Sequence, residues 1–271
     1  RNTAPCVGLS AVLVNVIDPE AIIVTLPADH LIKDKNSFHK NLKIAAEYAH
    51  SSKGLVTIGL PPTRPDTGYG YIKIDNTEVA NNVFKVLEFK EKPNLETAET
   101  YVASGEYLWN SGMFIWRADT ILEEFQKYMP EMHAGLMTLK DSINTDAFES
   151  TLEAEYGKMD GISIDYAIME KSEKVFLTKG IFDWNDVGSW ETVYELHEKD
   201  SDGVAVVSDA FIKDSKNSYI YAPDKFVSLI GLENVVVVDT GDALLVCHRD
   251  KVQDVKETVS YLKENNKNEL L

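Results

Sequence analysis

The sequence predicts an α/β layered fold with a mixed sheet, followed by a small β annex. Three observations carry this. Residues 21–26 (AIIVTL) and 55–59 (LVTIG) are short apolar runs separated by a helical pattern. Further strand-like and helix-like segments alternate up to about residue 200. Beyond it, short strand-like pieces recur at close spacing with turn residues between them.

The elements follow in order. RNTAP, residues 1–5, precedes a helix with Pro5 near its start. Residues 21–26 read as a strand buried on both faces, ending in PADH. Phe38, Leu42, Ala45, Ala46 and Ala49 recur at helical spacing, with Asn36 or Ser37 available as a cap and Gly54 as a terminator. With residues 55–59 this forms a βαβ unit, which implies parallel strands and ligands beyond their carboxyl ends. Residues 83–90 read as a strand, 95–103 as a helix ending at Gly105, and 113–117 as a strand before a helix that Asp119 can cap. Ser163 can cap a helix to Lys171, residues 175–178 read as a strand, and Ser189 can cap a helix to about Glu198. Domain one is expected over 1–202. The annex, 203–271, holds strand-like pieces at 204–207, 218–221, 227–230, 235–239 and 243–247, then a helix over 252–262.

Composition narrows the function classes. The chain has 271 residues and a net charge of −17, a surface that repels a long phosphate polymer or an anionic membrane. A nucleotide remains compatible, since a divalent cation bridges carboxylate and phosphate. The two cysteines, Cys6 and Cys247, are far apart and lack zinc-ligand spacing, which fits buried thiols and a reducing cytoplasm.

Candidate site residues cluster at strand ends. Asp29, in PADH, suits Mg²⁺, a hard cation that favours carboxylate oxygen; a turn or cap aspartate fits the same position. Gly68 and Gly70, in PPTRPDTGYGYI, permit close backbone approach to a ligand or simply a tight turn. In FKEKP, Glu91 suits sugar hydroxyls and Lys92 a phosphate, unless the two are a solvated pair. Asn110, in WNSGMF, suits a hydroxyl or a turn before the strand. Asp183 and Asp186, in DWNDVGSW, sit before a capped helix, where acids also complement the helix dipole. Arg1 to Thr3 suit a base or an ordinary helix entry.

In order, RNTAP, LPADHLI, PPTRPDTGYGYI, FKEKP, YLWNSGMF, SIDYAIMEKS, DWNDVGSW and TGDALLVCHRDKVQDVK resemble the bacterial short-form mannose-1-phosphate guanylyltransferases (GDP-mannose pyrophosphorylases), from Arg1 to about Leu262. The resemblance implies a Rossmann-like nucleotidyltransferase domain with a carboxyl-terminal β-helix-like annex. It implies transfer of a guanylyl group from GTP to mannose 1-phosphate, giving GDP-mannose and pyrophosphate. Asp29 and Asp186 match the metal-binding aspartates, for Mg²⁺ or Mn²⁺, and Lys92 joins them in the catalytic set. Arg1, Asn2 and Thr3 match the stretch near guanine and ribose. Gly68, Tyr69, Glu91, Lys92, Asn110 and Gly112 match positions around mannose and its phosphate. The annex is available as a homodimer interface.

This sequence departs from the pattern at its start. The family's first strand and its glycine-rich GGxGxRLxPxS…KP loop, which holds the triphosphate, have no counterpart here. A segment starting at Arg1 is therefore expected to be inactive without an upstream loop. The family's cupin-like isomerase extension has no counterpart after residue 271, so no isomerase activity is expected. Two other functions fit: a nucleotidyltransferase for another sugar 1-phosphate or base, and a noncatalytic sugar-nucleotide-binding subunit.

Overall fold

A computed structural model describes residues 1–270. The chain divides into two compact units, Arg1–Trp184 and a second beginning at Asn185.

The first unit opens with helix α1 (Thr3–Ile17), strand β1 (Ile22–Thr25), a two-residue strand β2 (Leu31–Ile32) and helix α2 (Lys35–Ser52). Strands β3 (Leu55–Leu60), β4 (Tyr71–Ala80) and β5 (Val83–Lys90) follow, then helix α3 (Leu95–Ser104) and strand β6 (Tyr107–Arg117). Helices α4 (Ala118–Tyr128), α5 (Pro130–Ser142) and α6 (Phe148–Lys158) lead through a π-helical turn at Asp165–Met169 to strand β7 (Val175–Lys179). The sheet runs β1-β6-β3-β7-β5-β4, and β4 also pairs with the start of β6. Only β3 and β7 pair in parallel; the other neighbours are antiparallel, so the sheet is mixed as expected.

Side-chain alternation on the strands decides the layers. Leu55, Phe114, Trp116 and Leu177 face one core, filled by Val7 and Ala11 of α1, Ile121 and Phe125 of α4, and Leu136 of α5. Val56, Ile58, Met113 and Ile115 face the other, covered by Ala45 and Ala49 of α2. Helices on both faces of one sheet make the α/β layered architecture.

Several local expectations change. Residues 21–26 do not form a strand buried on both faces: β1 is an edge strand, with Val24 41% and Leu26 44% exposed. β1 and β3 point the same way but are not neighbours, because β6 lies antiparallel between them. Asp34, not Asn36 or Ser37, caps α2 by accepting from the Ser37 N–H, and left-handed Lys53 ends it. Gly54 is instead small because a Cβ there would meet the Phe176 ring at 2.7 Å. Asp119 does not cap α4 as a residue before it; it lies in the first turn and, with Glu20, grips the buried Arg117 guanidinium. Ser163 precedes one π-helical turn rather than an α-helix to Lys171.

The second unit begins within β8 (Trp184–Asn185) and continues with α7 (Trp190–Leu196), capped by Ser189 as expected. Strands β9 (Ala205–Lys213), β10 (Tyr219–Ile230), β11 (Val235–Asp239) and β12 (Leu244–His248) form a sheet in the order β12-β11-β10-β9. The pieces expected at 218–221 and 227–230 are one strand with a register shift between Tyr221 and Phe226. β10 is parallel to both β9 and β11, the arrangement of successive β-helix rungs. Tyr219, Val236 and Val238 fill its core with Tyr194 of α7. Arg249 ties this core to α7 by pairing with Glu191 and lying 3.8 Å above the Tyr194 ring. A 3-10 turn at Arg249–Asp254 precedes helix α8 (Val255–Glu264), which starts three residues later than expected.

Candidate functional site

The site in the first unit is built around an irregularity in β6. The β3–β6 register shifts between the pairs Thr57–Phe114 and Gly59–Asn110, so β6 bulges through Ser111 and Gly112. Gly112 takes φ 69°, which glycine adopts without penalty. WNSG is thus inside a strand rather than in a turn before one. The bulge re-aims Asn110, as bulges beside functional sites do. Its Oδ1 accepts from the Gly112 N–H at 3.1 Å, and its Nδ2 donates to Asp165 Oδ1 at 3.0 Å. Pro27 of PADH packs over Gly112, 3.6 Å from where a Cβ would stand.

Glu91 enters from the end of β5. Its N–H donates to Glu170 Oε1 at 3.0 Å, and its Oε1 lies 3.4 Å from Lys92 Nζ. Its Oε2 is buried against Gly70 and the Asn110 side chain without a well-formed hydrogen bond. It is the only buried carboxylate oxygen in that state among the described residues. Burial, reinforced by the negative charge of Asp165, pushes the Glu91 carboxyl up to about 6; the Lys92 ammonium pulls the other way. Burial also raises Asp165 above the usual carboxylate range. Lys92 holds a left-handed backbone at φ 47° and keeps its side chain 60% exposed. A non-glycine residue in that conformation carries strain of the kind that collects at functional sites.

The glycine stretch before β4 supplies a wall. Gly68 sits in an aspartate turn, its N–H donating to Asp66 Oδ1 at 2.8 Å. Tyr69 is buried, with its ring edge-on to Trp109 at 4.9 Å and tilted against Trp184 at 5.3 Å. Gly70, rather than Gly68, makes the close approach: a Cβ there would collide with Glu91 Oε2 and stand 3.1 Å from Asn110 Cβ.

Trp184 links this wall to PADH. Its Nε1 donates to His30 Nδ1 at 3.0 Å. That bond leaves the neutral His30 proton on Nε2, which faces Asp29 Oδ1 at 4.0 Å. Asp29 itself is 84% exposed at the carboxyl end of β1. Asp183 does not join it; its carboxylate accepts from the Asp34 N–H at the start of α2.

The RNT stretch lies beside Asp165. Asn2 caps α1 by accepting from the Thr3 N–H, and Thr3 Oγ1 accepts from the Ile164 N–H at 2.8 Å. Arg1 is exposed, its carbonyl against Gly161. Asp186 belongs to the second unit. Its Oδ1 accepts from Gly188 N–H at 3.1 Å, and Val187 between them is left-handed at φ 51°. A Cβ at Gly188 would collide with that carboxylate, so DVG is a turn folded around its own acid.

Asn110, Gly112, Glu91 and Tyr69 therefore gather on one edge, with Thr3 and Asp29 reached through Ile164 and Pro27. Lys92 borders the group with its amine in solvent. Gly70 makes the close approach expected of it from the sequence, whereas Asp165 and Glu170 were not singled out there. An acid inside the apolar run ISIDYAIM was the available signal for Asp165, since buried carboxylates need a partner. No group of three or more His, Cys, Asp or Glu side chains converges as a metal cage among the described residues.

Comparison with known proteins gives the family. The Nucleotidyl transferase family matches residues 1–203, and the MannoseP isomerase/GMP-like beta-helix domain matches residues 211–262. A Salmonella muenchen mannose-1-phosphate guanylyltransferase is 41% identical over 99% of this chain. The chain spans 57% of that relative's length. A Thermus thermophilus crystal structure, described as a mannose-1-phosphate geranyltransferase, superposes with a TM-score of 0.84 at 32% identity, covering 97% of this chain and 76% of its own. A Helicobacter pylori structure described as a mannose-6-phosphate isomerase gives 0.59 at 31% identity, covering 68% of this chain and 70% of its own. With a family match over most of its length and a β-helix match after it, the chain belongs to the nucleotidyl transferase family.

Proposed function

We propose that the chain forms the sugar-nucleotide-handling part of a mannose-1-phosphate guanylyltransferase. The reaction is GTP plus mannose 1-phosphate giving GDP-mannose plus pyrophosphate. The observation that carries it is Glu91 Oε2, a buried acceptor without a well-formed hydrogen bond beside an amide already aimed by Asp165. Buried acceptors are costly unless matched by donors, and sugar hydroxyls are donors of the right kind. The names of relatives near 41% identity support mannose as the sugar and guanylyl as the group transferred.

In this reading an oxygen of the sugar phosphate attacks the α-phosphorus of GTP in line, the phosphorus–pyrophosphate bond breaks, and no covalent enzyme intermediate forms. The protein's contribution is positioning and charge neutralisation. Glu91 and Asn110 orient the sugar, Gly70 and Tyr69 exclude water from it, and Lys92 meets phosphate as a point charge. Gly68 and Gly112 shape the backbone around mannose, and Arg1, Asn2 and Thr3 border the base and ribose.

Asp29 and Asp186, each taken by itself, are the residues that would offer a carboxylate to Mg²⁺ or Mn²⁺. Their chemistry fits: each supplies hard carboxylate oxygens, and Mg²⁺ uses one or two protein carboxylates with phosphate oxygens and waters. A bound cation would supply neutralisation of phosphate charge. The reading also carries a cytoplasmic location, where GTP and hexose phosphates are found, and use of the second unit in a homodimer. Among the described residues no helix is long and apolar enough to cross a membrane.

Calorimetric titration of the chain with GDP-mannose, GDP-glucose and UDP-glucose tests the specificity. GDP-mannose binds best, and Asn110→Ala weakens it about tenfold or more through loss of a hydrogen bond in a buried site. Equal affinity for all three, or an unaffected Asn110→Ala, contradicts the proposal.

A further inference from the structure

The wall before β4 has a support of its own. Residues 61–70 form neither helix nor strand, and Pro61, Pro62 and Pro65 take backbone donors away from them. The backbone of such a loop must find its partners outside any helix or strand ladder. The sheet pins its far end, where the Asn110 N–H donates to the Gly70 carbonyl at 2.8 Å. Asp66 pins its middle.

Both carboxylate oxygens of Asp66 are engaged. Oδ1 accepts from the Gly68 N–H at 2.8 Å. Oδ2 accepts from Arg64 Nε at 3.1 Å and stands 3.0 Å from an Arg64 terminal nitrogen. The Asp66 N–H donates to the Arg64 carbonyl at 3.0 Å. The Asp66 carbonyl accepts from the hydroxyl of the buried Tyr71 at 3.0 Å. An exposed ion pair contributes little by itself. Asp66 differs because its side chain is only 16% exposed and ties the loop on both sides of it to β4.

These bonds lead to the Glu91–Asn110 edge. The Arg64 guanidinium lies 5.7 Å from the centre of the Trp109 ring, and Trp109 precedes Asn110 on β6. Tyr69, which follows Gly68, packs edge-on to the same ring. Asp66 thus governs two side chains on one indole, one through Arg64 and one through Gly68. We propose that Asp66 is a positioning residue for the sugar half of the ligand: clamped by Arg64, it holds Gly68 and Tyr69 against Trp109 before the ligand arrives. The proposal rests on reading that edge as the sugar site. A wall formed in advance spares the ligand the cost of ordering it. Its release weakens contacts with the sugar and leaves those with the nucleotide intact.

Calorimetric titrations with GDP-mannose and with GDP compare the parent with Asp66→Ala, Asp66→Asn and Asp119→Asn. Asp66→Ala weakens GDP-mannose about tenfold, the worth of a charge-assisted hydrogen bond, and leaves GDP unchanged. Asp66→Asn keeps an acceptor for the Gly68 N–H and loses only about threefold. Asp119→Asn disturbs the buried Arg117 ion pair elsewhere in the unit and changes neither affinity. The Tyr69 ring resonances add a reading that needs no ligand. Trp109 and Trp184 shift them in the parent, and Asp66→Ala moves them toward those of an exposed tyrosine. If Asp66→Ala does not fold, Asp66→Glu replaces it with the same expected split, since it keeps the charge but is too long for the turn onto Gly68. Unmoved Tyr69 resonances, equal losses of GDP and GDP-mannose, or a matching loss in Asp119→Asn overturn the proposal. A parent that binds GDP-mannose no better than GDP overturns the sugar-site reading instead, and the Tyr69 resonances still decide whether Asp66 holds the wall.

Discussion

The Asn110 amide donates to Asp165 Oδ1 at 3.0 Å while its oxygen accepts from the Gly112 N–H, so one side chain joins the β6 bulge to the π-helical turn. Both ends of the amide are committed, which fixes its orientation as well as its place. Asp165 therefore acts through Asn110, and its charge acts through space on Glu91.

Asp165→Asn removes that charge. The Glu91 carboxyl then titrates lower than about 6, since Asp165 is one of the groups raising it. A carbon-13 carboxyl titration reads this directly. An unchanged or higher Glu91 value contradicts the coupling.

Glu91 also makes stability depend on pH. Its folded value, about 6, is above the ordinary 4.5, so the fold favours the protonated form. The stabilisation from Glu91 is complete below about pH 4.5 and is lost as pH rises through about 6. Glu91→Gln is neutral at every pH, so it is more stable than the parent above pH 7 by about 2 kcal/mol. The difference closes in acid. Denaturant midpoints at pH 4 and pH 7.5 check both halves, and a Glu91→Gln variant less stable at pH 7.5 opposes the assignment.

Gly70→Ala puts a methyl group into Glu91 Oε2 and against Asn110. The cost is about 1–3 kcal/mol of stability, together with weakened GDP-mannose binding. Gly68→Ala is the contrast, because its Cβ would meet only Asp66 Oδ1, at 3.1 Å. Equal loss of binding in both variants argues against Gly70 as the point of close approach.

Trp184→Phe keeps an aromatic ring against Tyr69 but removes the donor to His30 Nδ1. It lowers stability by about 1 kcal/mol. It also releases the tautomer preference of His30, which imidazole nitrogen-15 shifts report. Retention of the Nε2-protonated form in Trp184→Phe contradicts this origin of the preference.

Much of this was legible in the sequence, where local chemistry decides structure. Gly105 ends α3 in the left-handed region, Ser189 caps α7, and β5 spans 83–90 as its apolar pattern predicts. What was not legible depended on partners distant in sequence. The β6 bulge arises from its register with β3, about fifty residues earlier, so WNSG read as a turn. The open edge of β1 depends on strand order, which periodicity does not encode. Glu91 and Asn110 were readable as polar residues at strand ends. Asp165 was not, because a lone acid in an apolar run does not reveal which amide it meets.

The central claim is the reaction, and pyrophosphate release tests it most directly. The full gene product is assayed with GTP and Mg²⁺, with and without mannose 1-phosphate, beside Asp186→Ala and Glu91→Ala. The account predicts release that requires mannose 1-phosphate, falls by at least about a hundredfold in Asp186→Ala, and is weakened in Glu91→Ala mainly through the sugar's KM. Release that is indifferent to the sugar, or none with mannose 1-phosphate but robust turnover with another sugar 1-phosphate, contradicts it.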